Sequence, residues 1–337
     1  MTPPSGRTLN REPQPPIGVI SALVGGFETV NKQLLLALLP LLLDLFLWLG
    51  PQLSIKPLAD DAGRQLQEMA AGAPTDSLAA QLAGQWQQIG TQADGVNLFG
   101  LLSTAPLGLP SVMARRIAVV DATHVLGVWG VTNGLVYVFL LVVLPVLGVF
   151  AGALYFGGIA QQVRDGRIDW LALAGRVWLD WAQLLGFGLA ALLVTLLLGV
   201  PAVALALLLT ALNQVIGSAA LALAFSLVFW LMVFGVFGPH GITLSKRNLF
   251  AAIWDSLRLV RVSLAPTVGL VTAVILLYFG LGAIWTLAPV NSWLNVIGIA
   301  AHAVVSTALV AATFVYYQDR VRWWRETLAT RMARLRA

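Results

Sequence analysis

Apolar and polar positions fall along this chain in long blocks, and one layout of blocks recurs three times. A mixed, partly charged segment leads into a long run with almost no charge, and a second apolar run returns. The copies start near Ile17, Trp170 and Leu249. About 20 successive apolar residues let a helix cross the hydrocarbon of a bilayer. The blocks therefore predict an all-α membrane protein, a polytopic bundle of six transmembrane helices with interfacial amphipathic helices and a pseudo-threefold hairpin repeat.

The expected spans are residues 33–50, 132–160, 182–211, 218–238, 267–287 and 293–317. Pro51 ends the first, because proline cannot continue a helical hydrogen-bond ladder. Asn213 and Gln214 before Gly217 and Ser218 read as a helix stop followed by a helix start, and Pro201 should kink the third span. Glu28 and Lys32 stand four apart, the spacing of an ion pair on a lead-in helix at the membrane interface. Residues 51–124 are the long polar excursion, with amphipathic helices expected over 58–71 and 76–89. Leu78, Leu82, Trp86 and Ile89 make one apolar stripe there. Asn97 to Met113 has Pro106 and Pro110 among leucines and glycines, so it predicts an apolar loop packed on the mouth of the bundle. Residues 17–318 thus form the membrane domain, between a proline-rich flexible tail at 1–16 and a basic interfacial helix at 319–337.

Composition supports the blocks. The chain is 58% hydrophobic and 10% charged, against about 45 to 50% and about 25% in soluble domains. It has no cysteine, which excludes disulfides and thiolate metal sites. The net charge of +5 comes from basic residues that flank apolar runs, a pattern suited to anionic lipid headgroups and not to nucleic acid. Basic residues gather at the tail, at 161–180, at 241–262 and at the C-terminal helix, whereas acids outnumber them in 51–124. The positive-inside rule then predicts a multi-pass protein of the plasma (inner) membrane, with both termini cytoplasmic and the long loop outside. Trp48, Trp181, Trp293, Trp323 and Trp324 fall at expected span ends, where an amphipathic ring favours the interface.

Few residues carry candidate chemistry. An acid inside a span costs about 2.5 to 3.5 kcal/mol on insertion scales and turns to a partner or a cavity, which singles out Asp44. His302 is the other titratable group at depth, in the same outer half. The two are expected to share a polar pocket with Asn133, Ser306 or Thr307. Such a pocket serves either as a proton or substrate site or as a hydrogen bond between helices. Gly186, Gly188 and Ala191 spell a dinucleotide fingerprint, but the fingerprint needs a preceding strand and here it lies inside an apolar helix. Asp121 and His124 could give two metal ligands, with no third in view. No cofactor or metal is expected. Along the C-terminal helix, Arg320, Arg322, Trp323, Trp324 and Arg325 are the candidate contacts to lipid headgroups.

Leu249, Phe250, Ala251, Ala252, Ile253, Trp254, Ser256, Leu257 and Leu259 before one span, then Tyr316, Tyr317, Gln318, Asp319 and Arg320 after the last, carry a resemblance. The stretch is similar to bacterial six-span proteins related to the membrane domain that accompanies some glycerophosphodiester phosphodiesterases. The resemblance covers mainly Leu249 to Arg325 and implies the fold; the long outer loop departs from it. No catalytic phosphodiesterase domain is present, so that activity does not transfer. The expected function is a non-enzymatic module that organises lipids or partner proteins in the membrane. The alternative is a small transporter or permease component built on Asp44 and His302.

Overall fold

Leu294 to Arg336 contains no proline and a single glycine, Gly298, and it forms one uninterrupted helix of 43 residues. The first two helices of the chain, the helix that starts at Gly134 and the one that ends at Trp285 pack against it. A computed structural model of the protein describes residues 15–72, 74, 77–93, 95–116 and 127–336. The expected tail, apart from its last two residues, and the Asp121 and His124 pair lie outside them.

Among the described residues there are eleven α-helices. Helix α1 (Val19–Lys32) and α2 (Leu38–Leu49) are joined by a 3-10 turn and bend by 98° at Gln33. The long excursion holds α3 (Lys56–Ala71) and α4 (Leu78–Ala93), with Trp86 Nε1 donating to Ala59 O across them at 3.0 Å. Then follow α5 (Gly134–Asp165), α6 (Trp170–Leu212), α7 (Gln214–Gly235), the short α8 (Gly238–Thr243), α9 (Leu249–Val262), α10 (Leu264–Trp285) and α11 (Leu294–Arg336). Five helices are long and apolar enough to cross a membrane, and a sixth crossing is available if the bent α1 and α2 pair counts as one. The protein is a multi-pass helical membrane protein.

Local chemistry sets the ends of these helices. Asn213 closes α6 and opens α7, its Oδ1 accepting from the amides of Val215 and Ile216 at 2.9 and 3.1 Å. Asp169 caps α6 through Ala172 N, and Asn248 caps α9 through Ala251 N. Gly166 takes the left-handed φ of 71° that lets α5 end in a tight turn. Gly26 marks the closest approach to α11: a Cβ there would lie 2.3 Å from Ala308 O and 2.6 Å from Ala312 N. Small residues bring helix backbones together where lipid offers no hydrophobic drive for association.

Several expectations change. The helix starts at Val19, Trp170 and Leu249 coincide with the three expected copies, but the copies continue differently. α1 and α2 are sharply bent, α6 runs on without a break, and α9 and α10 meet at Ser263. The third span and its polar lead-in are one helix, since nothing between Asp180 and Trp181 stops a helix. Likewise the basic segment after residue 318 is not a separate interfacial helix but the continuation of α11. The lead-in helix α1 lies against α11, and its buried residues are Ala22, Gly26, Thr29 and Val30. Glu28 and Lys32 are both exposed and form no ion pair among the described residues. The chain is also not purely helical. β1 (Gln52–Ser54) pairs in parallel with β2 (Val128–Gly130), and Ser54 bridges Asn97 on the other side. Three residues are too few to leave a period-two pattern in sequence.

Two ends of the bundle can be told apart. The loop end holds the β-pair, the long excursion and the start of α5. The basic end holds the α5–α6 turn, the segment before α9 and the extension of α11.

Candidate functional site

The apolar segment 98–112 does not rest on the mouth of the bundle but descends into it. Residues 107–112 are all buried. A Cβ on Gly152 would lie 1.9 Å from Leu107 O, and one on Gly148 would lie 2.5 Å from Leu102 O. Gly152 is eighteen residues into α5, about 27 Å of helix axis at about 1.5 Å per residue. The loop thus reaches the middle of the helical layer, where non-helical backbone persists only if protein encloses it. Its polar groups are met from within: Ser103 Oγ donates to Leu109 O at 2.7 Å, and Thr104 Oγ1 donates to Leu101 O at 2.5 Å, with Pro145 O of α5 farther off at 3.4 Å.

Asp44 holds the returning limb of this loop. The residue has no exposed surface. Ser111 Oγ donates to Asp44 Oδ1, Met113 N donates to the same oxygen at 3.0 Å, and Val112 N donates to Oδ2 at 3.1 Å. Both carboxylate oxygens are engaged by a loop that α2 does not adjoin in sequence. This is a helix-cap interaction made over long range, with the carboxylate accepting from the first amides of the 3-10 turn Met113–Arg115.

His302, from α11, is also wholly buried. Its Nδ1 lies 3.5 Å from Asp44 Oδ2 without forming a hydrogen bond, and its Nε2 faces Arg115 Nη2 at 3.3 Å. Arginine can only donate, so Nε2 is the accepting nitrogen. Arg115 is an exposed residue whose guanidinium lies 4.3 Å from the centre of the Tyr278 ring. Arg116 donates to the carbonyls of Trp285 and Ala288 at 3.3 and 3.2 Å, occupying acceptors at the C-terminal end of α10. Burial draws its guanidinium below the usual value, against the opposing pull of Asp44. Trp48 Nε1 donates to Val290 O at 2.6 Å, which ties α2 to the turn between α10 and α11.

The pair expected to share a pocket is therefore together, but its company differs. Asn133 is not in it. It is exposed at the start of α5, where its Oδ1 accepts from Leu135 N at 2.8 Å, because an asparagine before a helix satisfies amides that otherwise lack partners. Thr307 turns instead to Tyr155, which donates to it at 3.1 Å, and Ser306 donates to Ala303 O along its own helix. Ser111, Arg115 and Arg116 were missed. Two adjacent arginines closing a leucine-rich, proline-broken stretch on the acid-dominated side were the available signal.

At the basic end the expected headgroup contacts separate into two groups. Arg320 is buried: Nη2 donates to Ile17 O at 3.0 Å, and the guanidinium lies 4.7 Å from the centre of the Tyr316 ring. It faces α1 and is not available to headgroups. Arg322 and Arg325 are exposed, with Arg322 Nη2 3.1 Å from Asp319 Oδ1, and Trp323 and Trp324 are half-buried. Asp319 also accepts from Ile17 N at 2.8 Å. An open cleft of about 930 Å³ lies beside this helix, and a second, of about 370 Å³, opens between α5, α6 and the segment before α9. Among the described residues no three His, Asp or Glu side chains gather as a metal site would require.

No protein-family model, no curated protein and no solved structure matches the chain.

Proposed function

We propose that the protein is a non-enzymatic membrane module of six crossings, with the bent α1 and α2 pair as the sixth, that organises anionic lipids at its basic end. The observation that carries this reading is the enclosure of Asp44 and His302. Neither has exposed surface, and both oxygens of Asp44 are taken up by loop donors. Side chains so occupied hold a fold together, and the basic end carries the exposed cations Lys246, Arg322 and Arg325. The positive-inside rule turns that basic end to the cytoplasm and the loop end outward, across a bacterial inner membrane. A pseudo-threefold origin belongs to the same proposal, as does kinship with the six-span membrane domains associated with glycerophosphodiester phosphodiesterases. The segment of that resemblance forms α9, α10 and the first part of α11. The test is reconstitution of the full chain in mixed vesicles. Enrichment of anionic over zwitterionic lipid in the purified complex, without proton or solute flux, is expected.

A transport role is the second reading, and one observation favours it. A non-helical segment reaches the middle of the helical layer beside an acid, an imidazole and a guanidinium, and interrupted segments with titratable groups at depth mark transport paths. Flux into vesicles that disappears in Asp44→Asn supports this reading against the first.

A further inference from the structure

The two clefts at the basic end share one wall, made of Arg164, Asp165 and Lys246. We infer that the larger cleft binds the phosphate of an anionic glycerophospholipid headgroup, with Lys246 and Arg325 as its principal contacts. The inference rests on the lipid-organising reading and names its ligand chemistry and its place.

The cations of the larger cleft are not equally free. Arg164 Nη2 is 2.6 Å from Asp165 Oδ2 and its Nη1 donates to Leu244 O at 3.2 Å. Arg322 pairs with Asp319. Lys246 and Arg325 are exposed and make no ion pair among the described residues. Glu326 is the one carboxylate on this wall without such a pair. The cleft therefore keeps a positive excess after its internal pairs are matched. Lys246 also sits at φ 52°, a left-handed backbone that non-glycine residues seldom adopt. That conformation belongs to the turn that delivers its side chain between the clefts.

The shape of the cleft favours an amphiphile over a free anion. Ile17, Leu244, Val315 and Val321 supply an apolar wall beneath the cationic rim. Ser245, whose hydroxyl meets the Tyr317 hydroxyl at 3.2 Å, lies on the same lining. A glycerophosphate group at the rim with the first carbons of its chains on that wall satisfies both surfaces, whereas inorganic phosphate uses only the rim. Lysine and arginine at a membrane surface attract anionic lipid by about 1 kcal/mol each, and the positive excess that remains once Glu326 is set against Lys246 and Arg325 favours anionic over neutral headgroups.

The experiment compares the full chain with the Lys246→Asn, Arg325→Ala double variant and with Arg331→Ala as a basic control outside the cleft. Asparagine tolerates the left-handed turn. Lipid retention is read by native mass spectrometry in detergent with phosphatidylglycerol, phosphatidylcholine or inorganic phosphate added, and melting temperatures check the fold. The expected result is preferential retention of phosphatidylglycerol by the wild type, a loss of about tenfold or more in the double variant at unchanged melting temperature, and little change in Arg331→Ala. Equal retention by the double variant and the wild type overturns the cleft while leaving the lipid-organising reading intact. Absence of any anionic preference in the wild type removes both. Displacement of the lipid by millimolar inorganic phosphate overturns the lipid source and reassigns the cleft to soluble phosphates.

Discussion

At the loop end of α11 a carboxylate and an imidazole, Asp44 and His302, are enclosed and met by neighbouring donors, whereas at its basic end Lys246 and Arg325 stand in an open cleft without an ion pair among the described residues. Asp44 spends both oxygens on Ser111, Val112 and Met113. Arg325 and Lys246, in contrast, are exposed. An ionised group without a partner is costly inside the layer and cheap at its surface. The same residue types therefore do different work according to depth: cross-links at one end and recognition elements at the other.

The comparison breaks most sharply at Asp44. Asp44→Ala leaves a hydroxyl and two amides unpartnered in a closed space, and each buried donor left unsatisfied costs about 1 to 3 kcal/mol. Denaturation in bicelles is expected to show that loss, together with protease sensitivity of residues 98–116. A variant that unfolds like the wild type would contradict the clasp. Gly152→Val tests the descent of the loop itself. With 1.9 Å between its Cβ and Leu107 O, overpacking of about 1 to 3 kcal/mol is expected, and cysteine labelling at Leu107 should rise. Trp48→Phe removes a single hydrogen bond to Val290 O and should cost about 1 kcal/mol with no change in loop accessibility. At the opposite end, Arg322→Ala should alter stability by less than about 0.5 kcal/mol, because an exposed ion pair contributes little. Its phosphatidylglycerol retention should fall modestly, since a released Asp319 then faces the cleft. A melting shift as large as that of Asp44→Ala would erase the contrast between the ends.

Much of this arrangement was legible in the sequence, for reasons that differ by residue. The spans stand out because hydropathy accumulates over many residues, and Asp44 and His302 stand out because titratable groups at depth need partners. Their meeting followed from their shared depth. Ser111, Arg115 and Arg116 escaped notice because loop residues carry no periodicity that assigns them to a face. The descent of residues 98–112 escaped for a related reason: Pro106 and Pro110 forbid a helix, and only the small residues Gly148 and Gly152 on a distant helix make room for an irregular segment. Small residues four apart in an apolar helix suit the approach of another helix, whereas the partner of these two glycines is a loop. The length of α6 and α11 was hidden by charge, since a change from apolar to basic residues marks the edge of the layer and does not interrupt the backbone ladder.

Ser54 sits between Asn97 on one side and Gly130 on the other, and Asn97 Oδ1 accepts from Leu53 N at 3.1 Å. The chain thus leaves for α3 and comes back from α4 at neighbouring points. A detour that begins and ends at one place adds almost nothing to the cost of closing the path. The α3 and α4 hairpin is in that sense an exchangeable cassette: a short glycine-serine bridge from Ser54 to Asn97 could replace it, or a folded reporter could occupy its position, with the membrane core untouched.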